Sequence, residues 1–370
     1  MANTQDRSFH VQRSKYPFAR NLRGLKAVAW NNTIIVLGGY TNVSVTEKSV
    51  VYFHRSGEWV RQETSGDIPE IFHSNVKVEV LNNKIILVNT ITWAIYSLCP
   101  NTWTWTKIKA WGQHPAAPHT SSWVHNEKIY CFGIGTFTNH YSNELLCYNP
   151  LQNSWELTYQ SGDIPSPRYA HATIIDDDTV FLFGGGQHPN QVPIAGNDLF
   201  MLDMSRMHWT KIHEGMERQD GQGIPHQVFG YQGTGSTLTL VSKSAAILFV
   251  SIPYSSKDPT DECWLLNIDM AKQLKDPSHI WTRIPNKFTR IWYAAVKEPL
   301  SNSLWLIGGY DRQTGKCTTD VLKISPRGVT LKDLALDYIA SNIGSNDRRL
   351  LEDQIPKQLK NEIQVHRYKY

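Results

Sequence analysis

The sequence predicts an all-β fold, a six-bladed propeller followed by a short C-terminal α-helical tail. Three observations predict it. A tryptophan phrase recurs about every 50 residues. Strand-length apolar runs without helical period stand between the phrases, and three of them end in a glycine pair. After Pro326-Arg327-Gly328 both patterns stop and a helical spacing takes over.

The tryptophans are Trp59, Trp105, Trp155, Trp209 and Trp281. Three open nearly the same phrase: Trp105-Thr106-Lys107-Ile108, Trp209-Thr210-Lys211-Ile212 and Trp281-Thr282-Arg283-Ile284. A turn comes next. Ser65-Gly66-Asp67-Ile68-Pro69 recurs unchanged as Ser161-Gly162-Asp163-Ile164-Pro165, with looser copies at Gly221-Gln222-Gly223-Ile224-Pro225 and Gly112-Gln113-His114-Pro115. Then a polar turn leads through an apolar run to glycines: Ile34 to Leu37 before Gly38-Gly39, Val180 to Phe183 before Gly184-Gly185, and Leu304 to Ile307 before Gly308-Gly309. A third strand follows, as in Glu144 to Tyr148 and Asp198 to Leu202.

Four strands per unit at this period resemble the blades of Kelch propellers, over residues 9–325. The run before the glycines is expected to be buried on both faces and to line the axis. The glycines permit close packing, and each tryptophan is expected to wedge between neighbouring blades. Blades two, three and five replace the glycine pair by Asn89-Thr90, Gly133-Ile134 and Val250-Ser251. The sixth blade lacks a fourth strand, and Phe9 to Arg13 is expected to supply it, leaving only short protected edges.

Composition excludes several functions. A chain of 370 residues exceeds the usual single core unless it is a repeat array. The net charge of +4 is modest and no Lys/Arg block stands out, so no nucleic-acid partner is expected. Met1 to Tyr16 has no apolar signal region, and no apolar run is long enough for a membrane-spanning helix, so a cytoplasmic or nuclear protein without a membrane partner is expected. Cys99, Cys131, Cys147, Cys263 and Cys317 form no CxxC pair; no metal and no cofactor are expected. GxSxG, HExxH and P-loop patterns are absent, which points away from an enzyme.

In the tail, Thr330 to Ile343 reads as a helix with Thr330 as N-cap, Asp333 completing a capping box, and Gly344 as C-cap. Leu331, Leu334, Ala335, Tyr338 and Ile339 share one face. Pro356 suits the first turn of a second helix that carries Leu359 and Ile363 in line with Ile355. Such faces suit helix-in-groove docking. Thr330-Leu331-xxx-Ala335-xxx-Ile339 resembles the elongin-binding box of cullin-ligase substrate receptors, and Ile355-Pro356-Lys357-Gln358-Leu359-xxx-Ile363 resembles the cullin box that follows it. Gln358 stands where a cullin-5 box usually has its second proline, which favours cullin-2.

The order of ring and boxes is similar to that of the Kelch-domain-containing receptors of the C-degron pathway. That resemblance implies a non-catalytic subunit whose partners are elongin C, elongin B, cullin-2 and a protein or peptide degron. An alternative is a Kelch scaffold whose tail packs on the ring.

Loops on a rigid scaffold carry function, and an arginine fork matches a carboxylate. The candidate substrate-binding residues are therefore Arg20, Arg168, Tyr169, Phe229, Arg290, Trp292 and Arg312. Arg290-Ile291-Trp292 resembles an Arg-Leu-Trp segment of the diglycine-end receptors. The resemblance breaks in two places. Gly186 stands where that receptor has its carboxylate-clamping arginine, and Val228-Phe229-Gly230-Tyr231 replaces its Arg-Ser-Trp-His segment.

Overall fold

Runs such as Thr33–Leu37 and Val180–Phe183 offer no polar face to water, and the structure covers them on both sides. The computed structural model describes residues 9–15, 23–39, 50–55, 58–69, 75–112, 120–133, 142–187, 194–214, 237–250, 261–274, 280–288, 290–299, 303–311, 314–318 and 320–326. Contacts group Val11–Ile324 into one unit and Met1–His10 with Ser325–Tyr370 into another.

Six antiparallel sheets form the blades. The first holds Lys26–Trp30, Thr33–Leu37, Val50–Arg55 and Glu58–Glu63 in that order. The second holds Val76–Leu81, Lys84–Asn89, Ala94–Cys99 and Thr104–Ile108. Blades three to five begin with Ser121–His125, Ala172–Asp176 and Thr237–Ser242. Blade six holds Ala294–Lys297, Leu304–Ile307 and Asp320–Pro326, and its fourth strand is Phe9–Lys15, taken from the other end of the chain.

The first strand of each blade packs on the first strand of the next. Lys26–Trp30 meets Val76–Leu81, and so on round to Ala294–Lys297, which meets Lys26–Trp30 again. The ring is closed. It also corrects one expectation: the run before the glycines is the second strand, one place out from the axis, and the strand before it is innermost. The second strand has a strand on either side and a blade on either face, so only apolar residues fit. The axial strand keeps one free edge, and it carries Lys26, Lys77, Ser122 and Thr173.

The tryptophans do stand between blades. Trp105 packs in the core shared by blades one and two, Trp155 in that of two and three, Trp209 in that of three and four, and Trp281 in that of four and five. Each large plate removes an apolar face on both blades from water. Three donate their indole N–H backward. Trp105 Nε1 reaches Thr64 Oγ1 at 3.2 Å, Trp209 Nε1 reaches Gln160 Oε1 at 2.8 Å, and Trp281 Nε1 reaches His213 Nε2 at 3.0 Å.

The repeated Ser-Gly-Asp turn is a staple between blades. Ser65 and Gly66 pair in parallel with Thr104 and Trp105, and Asp67 Oδ2 accepts from the Lys107 N–H at 2.9 Å. Ser161, Gly162 and Asp163 repeat the arrangement on His208, Trp209 and Lys211. Where blade two lacks the glycine pair, side chains shape the turn instead. Asn89 Oδ1 accepts from Ile91 N at 3.0 Å, and Thr90 binds the Asn75 carbonyl through both its N–H and its hydroxyl. The expected helical tail, with Leu331, Leu334, Ala335, Ile339, Ile355, Pro356, Leu359 and Ile363, lies outside the described residues.

Candidate binding face

The first strands all begin at one end of the ring, where the second strands of blades one, four and six finish in a glycine pair. Blades four and six build this end the same way. Arg168 stands four residues before Ala172, which pairs with Phe183; Arg290 stands four before Ala294, which pairs with Ile307. Two residues past each arginine the backbone turns left-handed, at Ala170 (φ 53°) and Trp292 (φ 57°).

Both arginines serve the fold. The Arg168 side chain is fully buried. Its Nη1 donates to Asp198 Oδ1 and to the Gly184 carbonyl, both at 2.8 Å. Its Nη2 donates to Asp198 Oδ2 at 3.0 Å and Ser166 Oγ at 3.1 Å, and its Nε to the Ser166 carbonyl at 3.1 Å. All five guanidinium hydrogens are committed inside the chain, which leaves none for a ligand. Arg290 is also buried and binds the Asp320 carboxylate at 3.0 Å and the Asp320 carbonyl at 3.1 Å. For Arg168 the expectation of substrate contact therefore gives way to a role in pinning loop to blade, and Arg290 makes a similar join.

Tyr169 is buried as well, and it exchanges two backbone hydrogen bonds with Gly186. Its ring lies over that glycine: a Cβ added at Gly186 would come within 2.4 Å of Tyr169 Cζ. An arginine at this position would have to displace the ring. Trp292 is half-buried. The Arg23 guanidinium lies 4.4 Å from its ring centroid and 5.7 Å from that of Tyr310, and the Trp292 carbonyl accepts from Gly24 N at 2.7 Å. This pins blade six's entry loop to blade one's. Arg20, Phe229 and Arg312 lie outside the described residues.

The structure adds charged residues that the sequence reading passed over. Lys26 is the first residue of blade one's first strand and Lys77 the second of blade two's, and they occupy equivalent positions, opposite Leu37 and Val88. Both are half-buried. Burial, reinforced by the Lys77 charge, lowers the Lys26 pKa to about 7. Burial also lowers Lys77, against the pull of Cys131 and Glu79. Glu79, two residues on, accepts from Ser122 Oγ of blade three at 2.6 Å, and burial pushes its carboxyl upward. His171 Nε2 lies 2.6 Å from Ser121 Oγ; burial and the positive charges of Arg168 and Lys77 hold it neutral. The alternation Val76-Lys77-Val78-Glu79-Val80 was the available signal. It marks a strand whose two faces meet different neighbours.

Residues 24–225 match the family model described as the KLHDC2/KLHL20/DRC7 Kelch-repeats domain. Acyl-CoA-binding domain-containing protein 4 of Arabidopsis thaliana is 23% identical over 222 residues, 57% of this chain and 32% of that protein. Kelch domain-containing protein 2 of Bos taurus is 22% identical over 279 residues, 74% of this chain and 58% of that one. The match thus spans about a third of the plant relative and little over half of the bovine one. The solved structure of YjhT aligns with a TM-score of 0.59 at 13% identity, over 85% of this chain and 97% of that one, a likeness of fold.

Proposed function

The chain belongs to the KLHDC2/KLHL20/DRC7 Kelch-repeats domain family, and from that premise we propose that it is a non-catalytic substrate receptor of a cullin-2–elongin B/C ubiquitin ligase. The ring holds a protein or peptide degron at its loop end, and the tail docks the ligase. The observation that carries this reading is the pair of motifs after the ring. Leu331, Leu334, Ala335 and Ile339 form the elongin-binding face, and Ile355, Pro356, Leu359 and Ile363 the cullin-binding one. Arg20, Tyr169, Phe229, Arg290, Trp292 and Arg312 remain the loop candidates for substrate contact.

The test is co-purification of the full chain with elongin B, elongin C and cullin-2, beside a Leu331→Asp, Ala335→Phe variant. A buried charge and an added ring both oppose close helix docking. Capture by the wild type and loss in the variant, with unchanged melting of the ring, is the expected result. Failure of both proteins to capture the complex overturns the reading and leaves a Kelch scaffold.

A further inference from the structure

We infer that the outer edge of blade three is a self-association surface, on which a second copy of this chain pairs antiparallel about a two-fold axis beside Leu157. The surface stands on the register of the outer strands and does not require the ligase reading.

Four of the six large apolar side chains exposed among the described residues belong to this edge and its flanks: Trp111, Leu151, Leu157 and Tyr159. The register shows how blade three departs from the others. The residue two past each inter-blade tryptophan pairs with its blade's third strand, as Arg61 does with Tyr52, Lys107 with Tyr96, Lys211 with Phe200 and Arg283 with Trp264. Each of these is a cation, a residue type that keeps sheet edges apart. Blade three puts Leu157 there instead, opposite Leu146 and 60% exposed. The flanking turn departs as well. Ser65 and Ser161 donate their N–H to the carbonyl two residues before the tryptophan in blades two and four; in blade three Trp111, 62% exposed, makes that bond to Asn153. Two residues on, the Asp67 and Asp163 carboxylates hold the N–H of Lys107 and Lys211, and the sequence has the neutral Gln113 at that place. Among the described residues nothing pairs with the outward N–H of Leu157.

An apolar edge without these safeguards accepts another strand. The backbone groups of Leu157 turn outward because those of Trp155 do, whose N–H donates to the Trp111 carbonyl at 2.9 Å. Self-compatibility selects a second copy. A two-fold sets a central position against its own twin. At Lys107 or Lys211 that would bring like charges together. At Leu157 it brings leucine onto leucine and lets the two backbones exchange both hydrogen bonds. Glu156 then faces the other copy's Thr158, so no acid meets an acid. Trp111 fills the edge beside Ser154, so the pairing is short, and Tyr159 of each copy comes up against Trp111 of the other. The apolar side chains offer about 500 Å² per copy, hence about 1,000 Å² in all, which is the low end for a specific interface and suits a weak dimer.

Sedimentation of the full chain over about 1–100 μM reads the association. The variants are Leu157→Lys and Trp111→Ser, which install the residues that blades two and four carry at these positions, and Val60→Thr on blade one's outer strand as a control. Melting at low concentration checks that each ring is folded. The expected result is a dimer in the wild type and in Val60→Thr, with a dissociation constant raised at least about tenfold by Leu157→Lys and by Trp111→Ser. Leu157→Cys should also form a disulfide-linked dimer with oxidised glutathione, in excess of the background set by the five native cysteines, because the two-fold brings the twin Cα atoms to about 5.5 Å. A wild type that stays monomeric throughout, or a dimer that survives Leu157→Lys, overturns the proposal. A monomer that instead binds a labelled peptide of alternating threonine and valine, and loses it in Leu157→Lys, overturns the second copy and assigns the edge to a foreign strand.

Discussion

Arg168 and Asp198 meet in a two-point ion pair, 2.8 and 3.0 Å, with the arginine side chain wholly withdrawn from solvent. The carboxylate comes from the third strand of blade four and the guanidinium from the loop that enters the blade. The same join recurs in blade six between Arg290 and Asp320. Removing one partner strands a buried charge, so Arg168→Ala should cost about 3–5 kcal/mol. Arg168→Lys should cost nearly as much, because a lysine cannot serve two carboxylate oxygens, a carbonyl and a hydroxyl together. Chemical denaturation measures both. A ligand-contacting arginine would behave in the opposite way, losing binding with stability intact.

The staple turns depend on glycine for two separable reasons. Gly162 has φ +78°, and a Cβ there would lie 2.2 Å from the Trp209 carbonyl oxygen. Gly315 has a comparable φ of +69°, but its nearest neighbour is 3.8 Å away. Gly315→Ala therefore reports backbone strain alone and should cost about 1 kcal/mol. Gly162→Ala adds a backbone collision and should cost at least about 3 kcal/mol. Equal losses at the two sites would show that the turn can slide on its neighbour.

Trp281 donates to His213, which requires an unprotonated acceptor. Burial holds the His213 pKa at about 4, below its ordinary 6.5, although Asp198 opposes the shift. Between those values the unfolded chain carries a proton that the folded ring lacks. Stability should therefore be complete above about pH 6.5 and fall as the pH drops toward 4, by about 2–3 kcal/mol. His171, neutralised more strongly, extends the loss to lower pH. In a His213→Gln variant, which keeps an acceptor, the melting temperature should depend less steeply on pH across that window.

Periodicity made the ring legible because every blade repeats the same physical problem: a tryptophan between blades, a buried second strand, a glycine turn. The axial strand was misplaced for a physical reason. Burial on both faces marks the middle of a blade rather than its centre-facing edge, and Lys26 and Lys77 look like surface residues until the ring closes around them. The arginines misled for the converse reason. Their spacing from the glycine turns is a repeat feature, and only the Asp198 and Asp320 carboxylates, 30 residues away in each case, show what they hold.

Lys26 predicts a pH effect on stability. Its folded pKa is about 7, against the 10.5 of an ordinary lysine. Across that window the unfolded chain holds the proton, so stability of the unliganded ring should rise with pH. The neighbours that set this balance are Lys77, which disfavours the charge, and Glu79, His171 and Cys131, which act on or are acted on by Lys77. Lys26→Met removes this effect. The variant should be more stable than the wild type by about 1–2 kcal/mol near neutral pH, since an unpaired half-buried charge gives way to a side chain of similar length. Melting curves across about pH 6.5–9.5 measure it. A gain in stability shows that the half-buried ammonium costs the fold more than its packing returns; a loss of stability in the Met variant would assign Lys26 to the fold.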